Sequence, residues 1–200
     1  MSSQPLQTAS DRRLRQREEA RQAILDATET LLVEGGYDRF SMRKLAARCG
    51  YTAPTIYHHF GDKNGLLDTL LDVRIRDLIE EMQAVPTGDD PVENMRRLFV
   101  AFARWGLANP THYRLLTSAT TAEPNPTGEL ARELLMRPVT QLEEQGRLVG
   151  DYETARQSFW ALSHGLISLQ WLRPDVEWSE QLVEHAMDAM VRGLVLPEQS

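Results

Sequence analysis

The segment that decides the fold covers residues 41–63 and reads SMRKLAARCGYTAPTIYHHFGDK. A short apolar stripe at helical spacing within it consists of Met42, Leu45, Ala46 and Cys49. Ser41 is suited to cap the start of this helix, and Gly50 to end it after about two turns. Thr52 then predicts the start of another short helix, which tolerates a proline in its first turn and reaches about His59. Short helices joined by a tight glycine turn indicate a helix-turn-helix.

Longer helices are predicted on both sides of this segment. The upstream apolar stripe consists of Ala20, Ile24, Ala27 and Leu31. That helix is expected to end at Gly35-Gly36, because glycine readily adopts the left-handed conformation that closes a helix. Downstream, Asp62 is the expected N-cap of a long helix from Lys63 to near Ala84.

The remainder of the chain is also predicted to be helical, because no convincing alternation of strand type occurs. Asp90, at the end of a loop over residues 86–91, is expected to start a helix that stops at Asn109-Pro110. A second loop is expected over residues 123–128. Later helices are predicted over about residues 129–146, 151–172 and 178–196. The expected fold class is therefore all-α, with about nine helices.

Composition and charge narrow the function classes. Hydrophobic residues make up 42% of the chain, which is enough for a packed core, and Cys49 is the single cysteine. No apolar run is long enough to span a membrane, and the N-terminus lacks the apolar stretch of a secretory signal. These features predict a soluble cytoplasmic protein.

The net charge is −7, yet residues 1–65 contain ten Lys/Arg against eight Asp/Glu. A mildly basic N-terminal region (residues 1–65, here called the head) joined to an acidic remainder is compatible with nucleic-acid binding by the head alone.

Residues 41–63 resemble the N-terminal domain of the TetR family of bacterial helix-turn-helix transcriptional regulators. The features that match are the apolar-Arg-Lys-Leu-Ala start, the glycine turn, Pro54-Thr55-Ile56-Tyr57, the aromatic Phe60 and Lys63. The resemblance extends over about residues 20–71. It implies a repressor that binds a palindromic operator as a homodimer and is released by a small-molecule effector.

The resemblance also implies a division of the chain. It comprises a flexible N-terminal arm at 1–14, a three-helix DNA-binding domain at 15–62, a connecting helix at 63–84 and a larger effector-binding and dimerisation domain at 85–200. The Arg-rich stretch from Asp11 to Arg21 either lies in an adjacent minor groove or is a solvated helix extension.

Eight residues are predicted to contact DNA. They are Arg43, Thr52, Ala53, Pro54, Thr55, Tyr57, His58 and Lys63. Residues 52–55 present a low-bulk edge that fits the major groove, while Tyr57 and His58 carry longer polar tips. The resemblance implies that Tyr57 and Lys63 contact phosphates. The resemblance also places Arg43 against the groove, where its planar guanidinium can form a bidentate contact to guanine. The alternative is that Arg43 is a solvated surface arginine.

An effector pocket is expected in the larger domain, again from the resemblance. Its candidate walls are Phe102, Trp105, His112, Tyr113, Met136, Trp160 and His164, although each is also compatible with a packed core. Trp160, His164 and Gly165 resemble a Trp-His-Gly signature of one C-terminal subclass, in which His164 is either a buried hydrogen-bonding residue or a ligand contact. The absence of a basic cluster favours a neutral or cationic apolar effector.

The last helices are candidates for a self-complementary dimer face, because the penultimate one is apolar over most of its girth. The candidate residues are Phe159, Leu166, Leu169, Val183, Met187, Met190 and Leu194, with burial inside one subunit as the alternative.

No metal site, cofactor or catalytic residue is predicted, since the histidines lack partners at ligand spacing. The competing interpretations are an all-helical enzyme, for which no nucleophile or phosphate-loop pattern is present, and a helical adaptor that has lost DNA binding.

Overall fold

The computed structural model describes residues 9–118 and 126–197. Within these ranges the chain forms nine α-helices and a single antiparallel β-bridge between Leu148 and Val195. The helices are α1 (Ala9–Arg39), α2 (Met42–Cys49), α3 (Ala53–Phe60), α4 (Lys63–Gln83), α5 (Pro91–Ala108), α6 (Pro110–Ser118), α7 (Pro126–Glu144), α8 (Tyr152–Leu172) and α9 (Leu182–Leu194). The all-α prediction is confirmed. In the described part of the chain, no helix has the length and apolar run that crossing a membrane requires.

Helix α1 differs from the prediction at its start and agrees with it near its end. Residues 9–14, which the sequence analysis assigned to the N-terminal arm, belong to this helix; Ala, Arg and Leu among them favour helix, and no glycine or proline interrupts them. Residues 1–8 of the predicted arm lie outside the described residues. Gly36 has non-helical backbone angles (φ 71°, ψ 175°) and breaks α1, as Gly35-Gly36 predicted, although helix resumes as far as Arg39.

Three boundaries in the rest of the chain differ from expectation. A separate helix, α6, follows α5 after a break at Asn109, where the sequence indicated only a stop. Helix α7 begins at Pro126, inside the predicted loop 123–128, because proline is tolerated in a first turn; residues 123–125 lie outside the described part. Helix α9 begins at Leu182 and not at Trp178, whose indole Nε1 donates to the Arg173 carbonyl at 3.0 Å within the preceding loop.

The chain divides into two compact units, Met1–Leu71 and Asp72–Ser200, with the division inside α4. The fully buried side chains of the first unit include Ile24, Leu25, Leu45, Ile56, Leu66 and Leu70. In the second unit, α5 packs against α7, α8 and α9. The fully buried side chains there include Leu78, Met95, Val139, Leu142, Phe159 and Ile167.

Three residues that were expected at a dimer face belong to the core of the second unit. Phe159 is fully buried, Met187 is 2% exposed and Val183 is 7% exposed. The Phe159 ring packs against that of Phe99 of α5, with ring centroids 4.9 Å apart and the ring planes tilted by 40°. Periodicity marked these positions as apolar, but it did not distinguish the chain's own core from an outward face.

Candidate functional site

The two short helices α2 and α3 are held by the caps that the sequence predicted. The Ser41 hydroxyl accepts from the Lys44 backbone N–H at 3.3 Å, and the Thr52 hydroxyl accepts from the Thr55 N–H at 3.3 Å. Gly50 adopts the left-handed conformation, with φ of 73°, at the end of α2. Each cap satisfies a backbone group that a helix this short would otherwise leave open, so the turn geometry is set locally.

Buried anchors on the inner faces orient this segment. Leu45 and Ile56 are fully buried and Phe60 is 7% exposed. None of the eight candidate DNA contacts is among the buried residues. Arg43, Thr52, Pro54, Tyr57 and His58 are exposed, while Ala53, Thr55 and Lys63 are half-buried. The structure therefore leaves all eight at least partly accessible within one 23-residue stretch.

The cations around this segment differ in how they are held. Arg48 forms a two-pronged ion pair with Glu34 at 2.8 Å for each N···O distance, and this hydrogen bonding lowers the pKa of Glu34. The Lys44 ammonium donates to the Arg39 carbonyl at 3.0 Å. Within the described part of the chain, no carboxylate pairs with Arg43 or Lys63. Those two positive charges thus remain available to an anionic partner.

The histidines of α3 have different surroundings. His58 and His59 meet edge to face, with ring centroids 5.9 Å apart. Burial is the main cause that lowers the pKa of His59, and the positive charges of Arg17, His58 and Arg21 lower it further. Neutral imidazoles are metal ligands in many proteins, but no group of three or more His, Cys, Asp or Glu residues in the described ranges is arranged to hold a metal ion.

Six of the seven candidate pocket residues meet in one aromatic cluster of the second unit. The cluster consists of Phe102, Trp105, His112, Tyr113, Trp160 and His164, whose linked ring centroids lie 5.4–6.4 Å apart. Inside it, the Tyr113 hydroxyl and His164 Nδ1 are hydrogen-bonded at 2.5 Å. Burial raises the pKa of Tyr113 to about 12 and lowers the pKa of His164. These rings pack against one another, although Trp160 remains largely exposed.

The seventh candidate, Met136, lines a cavity of about 550 Å³ beside α7. The other lining residues are Ile79, Gln83, Leu130, Glu133, Leu134, Arg137, Thr140, Gln141, Glu144 and Tyr152. A second cavity of about 330 Å³ shares Gln83, Leu134, Arg137 and Gln141 with it. Sequence reasoning missed these walls, because Gln, Glu and Thr are also what a solvated helix face carries.

The outward side of α8 is apolar and uncharged. Residues 157–172 contain no Asp, Glu, Lys or Arg. Trp160, Leu169 and Leu172 are 58%, 50% and 73% exposed. A Cβ added at Gly165 would meet no atom within 4 Å, and the same holds for Gly193 on α9. Of the predicted dimer residues, Leu166, Leu169, Met190 and Leu194 remain at least partly exposed.

Comparison with protein families gives two matches. The family described as bacterial regulatory proteins, tetR family, matches residues 24–70. The family described as tetracyclin repressor-like, C-terminal domain, matches residues 95–194, which is half of the chain. The first match includes α2 and α3, and the second includes most of the helices of the second unit.

Individual relatives agree with these matches. The chain is 31% identical over 132 residues to the HTH-type transcriptional repressor KstR of Rhodococcus jostii, and the alignment spans 62% of each protein. Among solved structures, NalD, described as the secondary repressor of the MexAB-OprM multidrug efflux pump in Pseudomonas aeruginosa, is similar with a TM-score of 0.63 and 25% identity, over 90% of this chain and 98% of that one.

A further structure supports the fold alone, because its identity to this chain is 21%. It is AibR in complex with isovaleryl coenzyme A and operator DNA, with a TM-score of 0.66 over 90% of this chain and all of that one.

Proposed function

Because the chain belongs to the TetR family of bacterial regulatory proteins, we propose that it is a transcriptional repressor that binds a palindromic operator as a homodimer and is released by a small-molecule effector. The observation that carries the proposal is the accessible surface of α2, α3 and the first residue of α4. It combines a low-bulk capped edge at Thr52 to Thr55 with two cations, Arg43 and Lys63, that no described carboxylate neutralises.

The proposed mode of binding places α3 in the major groove. Its small leading residues permit close approach, and Tyr57, whose side chain is 46% exposed, reaches toward the phosphates. Arg43 contacts a guanine through its guanidinium fork. Two such heads on one homodimer meet successive major grooves roughly 34–36 Å apart, which accounts for a palindromic operator.

The uncharged outer side of α8 supports the homodimer. Exposed apolar side chains free of charge are typical of the central part of protein interfaces. Small residues on α8 and α9 form a surface without bulky side chains, onto which helices of a second copy can pack closely. They are Gly165, Gly193, Ala161, Ala186 and Ala189, all at least partly exposed. We propose that α8 and α9 of two subunits form this contact.

The cavity beside α7 is the proposed effector site. Its volume of about 550 Å³ lies within the range of small-molecule sites. Leu130, Leu134 and Met136 form the apolar part of the cavity wall. The two negative charges of Glu133 and Glu144 exceed the single positive charge of Arg137. This balance fits a neutral or cationic apolar compound better than an anionic one. We propose that effector binding favours a conformer of the dimer that no longer fits the operator.

The family also supports the proposal that the chain is not an enzyme. Because the proposed partner is operator DNA, we propose that the protein acts in the cytoplasm, on the nucleoid. An all-helical enzyme is the competing hypothesis, and turnover of a substrate in the absence of DNA binding would favour it.

The experiment that tests the proposed function is a fluorescence anisotropy titration of the full chain. The DNA is first the region flanking its own gene and then fragments selected from random sequence, each at several salt concentrations. Arg43→Ala is expected to relax specificity and lower affinity for the selected site by about 1–3 kcal/mol, and Tyr57→Phe to weaken binding. Thr55→Glu should abolish binding, because it places a negative charge in the groove.

The matched control is Arg97→Ala, which removes an equal charge from an exposed arginine of α5 that already pairs with Glu93. It is expected to bind as the wild type does. Failure of the unmodified protein to select any DNA sequence would overturn the proposal and leave the adaptor hypothesis in its place.

A further inference from the structure

Lys63, the first residue of α4, has its ammonium over two aromatic rings of the first unit. Its Nζ lies 4.8 Å from the ring centroid of Tyr37 and 5.5 Å from that of Phe40. An ammonium within about 6 Å of a ring face is attracted by the negative face of the π-system. The side chain of Lys63 is therefore held by two rings in the absence of DNA.

The two rings are unequal in their surroundings. Phe40 is 5% exposed and belongs to the core, whereas Tyr37 is 46% exposed. Tyr37 follows Gly36, whose φ of 71° interrupts α1 directly before it. A large aromatic side chain that is nearly half exposed contributes little core packing at such a position. Its ring face contacts the Lys63 ammonium.

Ring contacts differ from ion pairs in what they leave to a ligand. Both terminal nitrogens of the Arg48 guanidinium donate hydrogen bonds to the Glu34 carboxylate. The Lys44 ammonium donates to the Arg39 backbone carbonyl. No described carboxylate pairs with Lys63. A ring face attracts the ammonium without neutralising it, so Lys63 keeps its full charge and its N–H donors for an acceptor on the open side.

We propose that Tyr37 is a positioning residue for DNA binding, whose ring fixes the Lys63 ammonium where it contacts a backbone phosphate. Lysine has a long flexible stem, and ordering it on binding costs conformational entropy. A side chain already ordered between two rings loses less of this entropy when the phosphate arrives, which is preorganisation. The proposal rests on the proposed DNA binding and adds a residue that does not itself touch DNA.

The test compares Tyr37→Leu, Tyr37→Phe, Lys63→Gln and the double variant Tyr37→Leu/Lys63→Gln. The full chain is titrated against one DNA fragment that the wild type selects, at several salt concentrations. Tyr37→Phe keeps the ring face and should match the wild type. Tyr37→Leu should weaken binding by about two- to fivefold per half-site. Lys63→Gln should reduce the salt slope by about 1 per half-site, as expected for one lost phosphate contact.

In the double variant, Tyr37→Leu should produce no further loss, because there is no ammonium left to position. The carbon-bound protons of the Lys63 ε-methylene give a second readout without DNA. Ring currents should shift their NMR signals in the wild type and in Tyr37→Phe, and Tyr37→Leu should remove most of the shift.

The proposal is overturned if Tyr37→Phe loses as much affinity as Tyr37→Leu, since the hydroxyl and not the ring would then be responsible. It is also overturned if Tyr37→Leu weakens binding equally with and without Lys63, which is the result of a purely structural role. Failure of the proposed function is distinguishable, because it is seen in the wild type as an inability to select DNA before any variant is made.

Discussion

At the scale of single residues, the hydrogen bond between Tyr113 and His164 links α6 to α8 inside the second unit. Its two atoms, the tyrosine hydroxyl oxygen and Nδ1, lie 2.5 Å apart among the rings of Phe102, Trp160 and Trp171. The half-buried imidazole is stabilised here in its neutral form, because protonation would place a charge next to apolar rings. The pair thus makes the stability of the second unit depend on pH.

Stability should fall as the pH is lowered from 7 to 5. Burial lowers the pKa of His164 from its ordinary value of 6.5 in the folded state, so between that lowered pKa and 6.5 the unfolded chain binds more protons. The contribution of the neutral histidine is fully present above 6.5 and is lost as the pH falls toward the folded-state pKa. Denaturant unfolding at several pH values measures this slope.

His164→Gln should flatten part of that slope, and the remaining dependence should include His59, whose pKa is also lowered. His185→Gln removes an exposed histidine of α9 and is the matched control. A slope that is identical in the wild type and in His164→Gln would contradict the account of His164 as a histidine held neutral by burial.

At the scale of helices, the close approach of α5 and α8 depends on a missing side chain. Gly106 of α5 is buried, and a Cβ added there would lie 2.6 Å from Cδ1 of Ile167 and 3.2 Å from its Cγ2. The branched Ile167 side chain is fully buried and has little freedom to move away. Glycine is unfavourable within a helix, so its presence here reflects packing.

Gly106→Ala is therefore expected to destabilise the protein by about 1–2 kcal/mol. Overpacking costs about 1–3 kcal/mol, and the better helix propensity of alanine offsets up to about 1 kcal/mol of this. Thermal and denaturant unfolding measure the change. Ile167→Val removes the atom in closest conflict, so the double variant should lose clearly less stability than the sum of the two single changes. Strict additivity would show that the predicted clash does not exist.

At the scale of the whole molecule, the proposed function requires two copies of the chain. The uncharged outer side of α8 is the surface on which this requirement can be tested without touching the DNA contacts. Leu169 and Leu172 are 50% and 73% exposed, so replacing them does not open the core of the subunit.

Leu169→Glu/Leu172→Glu should convert the proposed homodimer to a monomer, because it would place four carboxylates in the proposed apolar interface. Analytical ultracentrifugation measures the mass, and circular dichroism checks that helix content is retained. Operator affinity should fall steeply, since one head alone reads only one half-site. Val149→Glu, at a 44% exposed position outside α8 and α9, is the control and should remain dimeric. A dimeric double variant would place the interface on another surface.

Filling the cavity beside α7 should separate effector response from DNA binding. Thr140→Trp puts an indole into the space of about 550 Å³ that Thr140 helps to line. A compound found by thermal-shift screening of the wild type should then neither stabilise the variant nor release it from DNA, while its operator affinity is retained. Gln145→Trp adds the same ring at an exposed position outside the lining and should respond normally. An unchanged response in Thr140→Trp would move the effector site elsewhere.

The sequence by itself determined the all-helical class, the helix-turn-helix and its caps at Ser41, Gly50, Thr52 and Asp62. These features depend on neighbours within a few residues, and the chemistry of caps and glycine turns acts at that range. The same local signals located the break at Gly36, and the spacing of apolar residues identified the positions that the core uses.

Tertiary structure alone decided which apolar positions face inward and where empty space remains. Phe159, Val183 and Met187 belong to the core, while Leu169 stays half exposed, although their residue types and spacing are alike. The cavity beside α7 and the ammonium of Lys63 over Tyr37 bring together side chains distant in sequence. Such contacts depend on how the helices pack against one another, and helical periodicity specifies a face without specifying its neighbour.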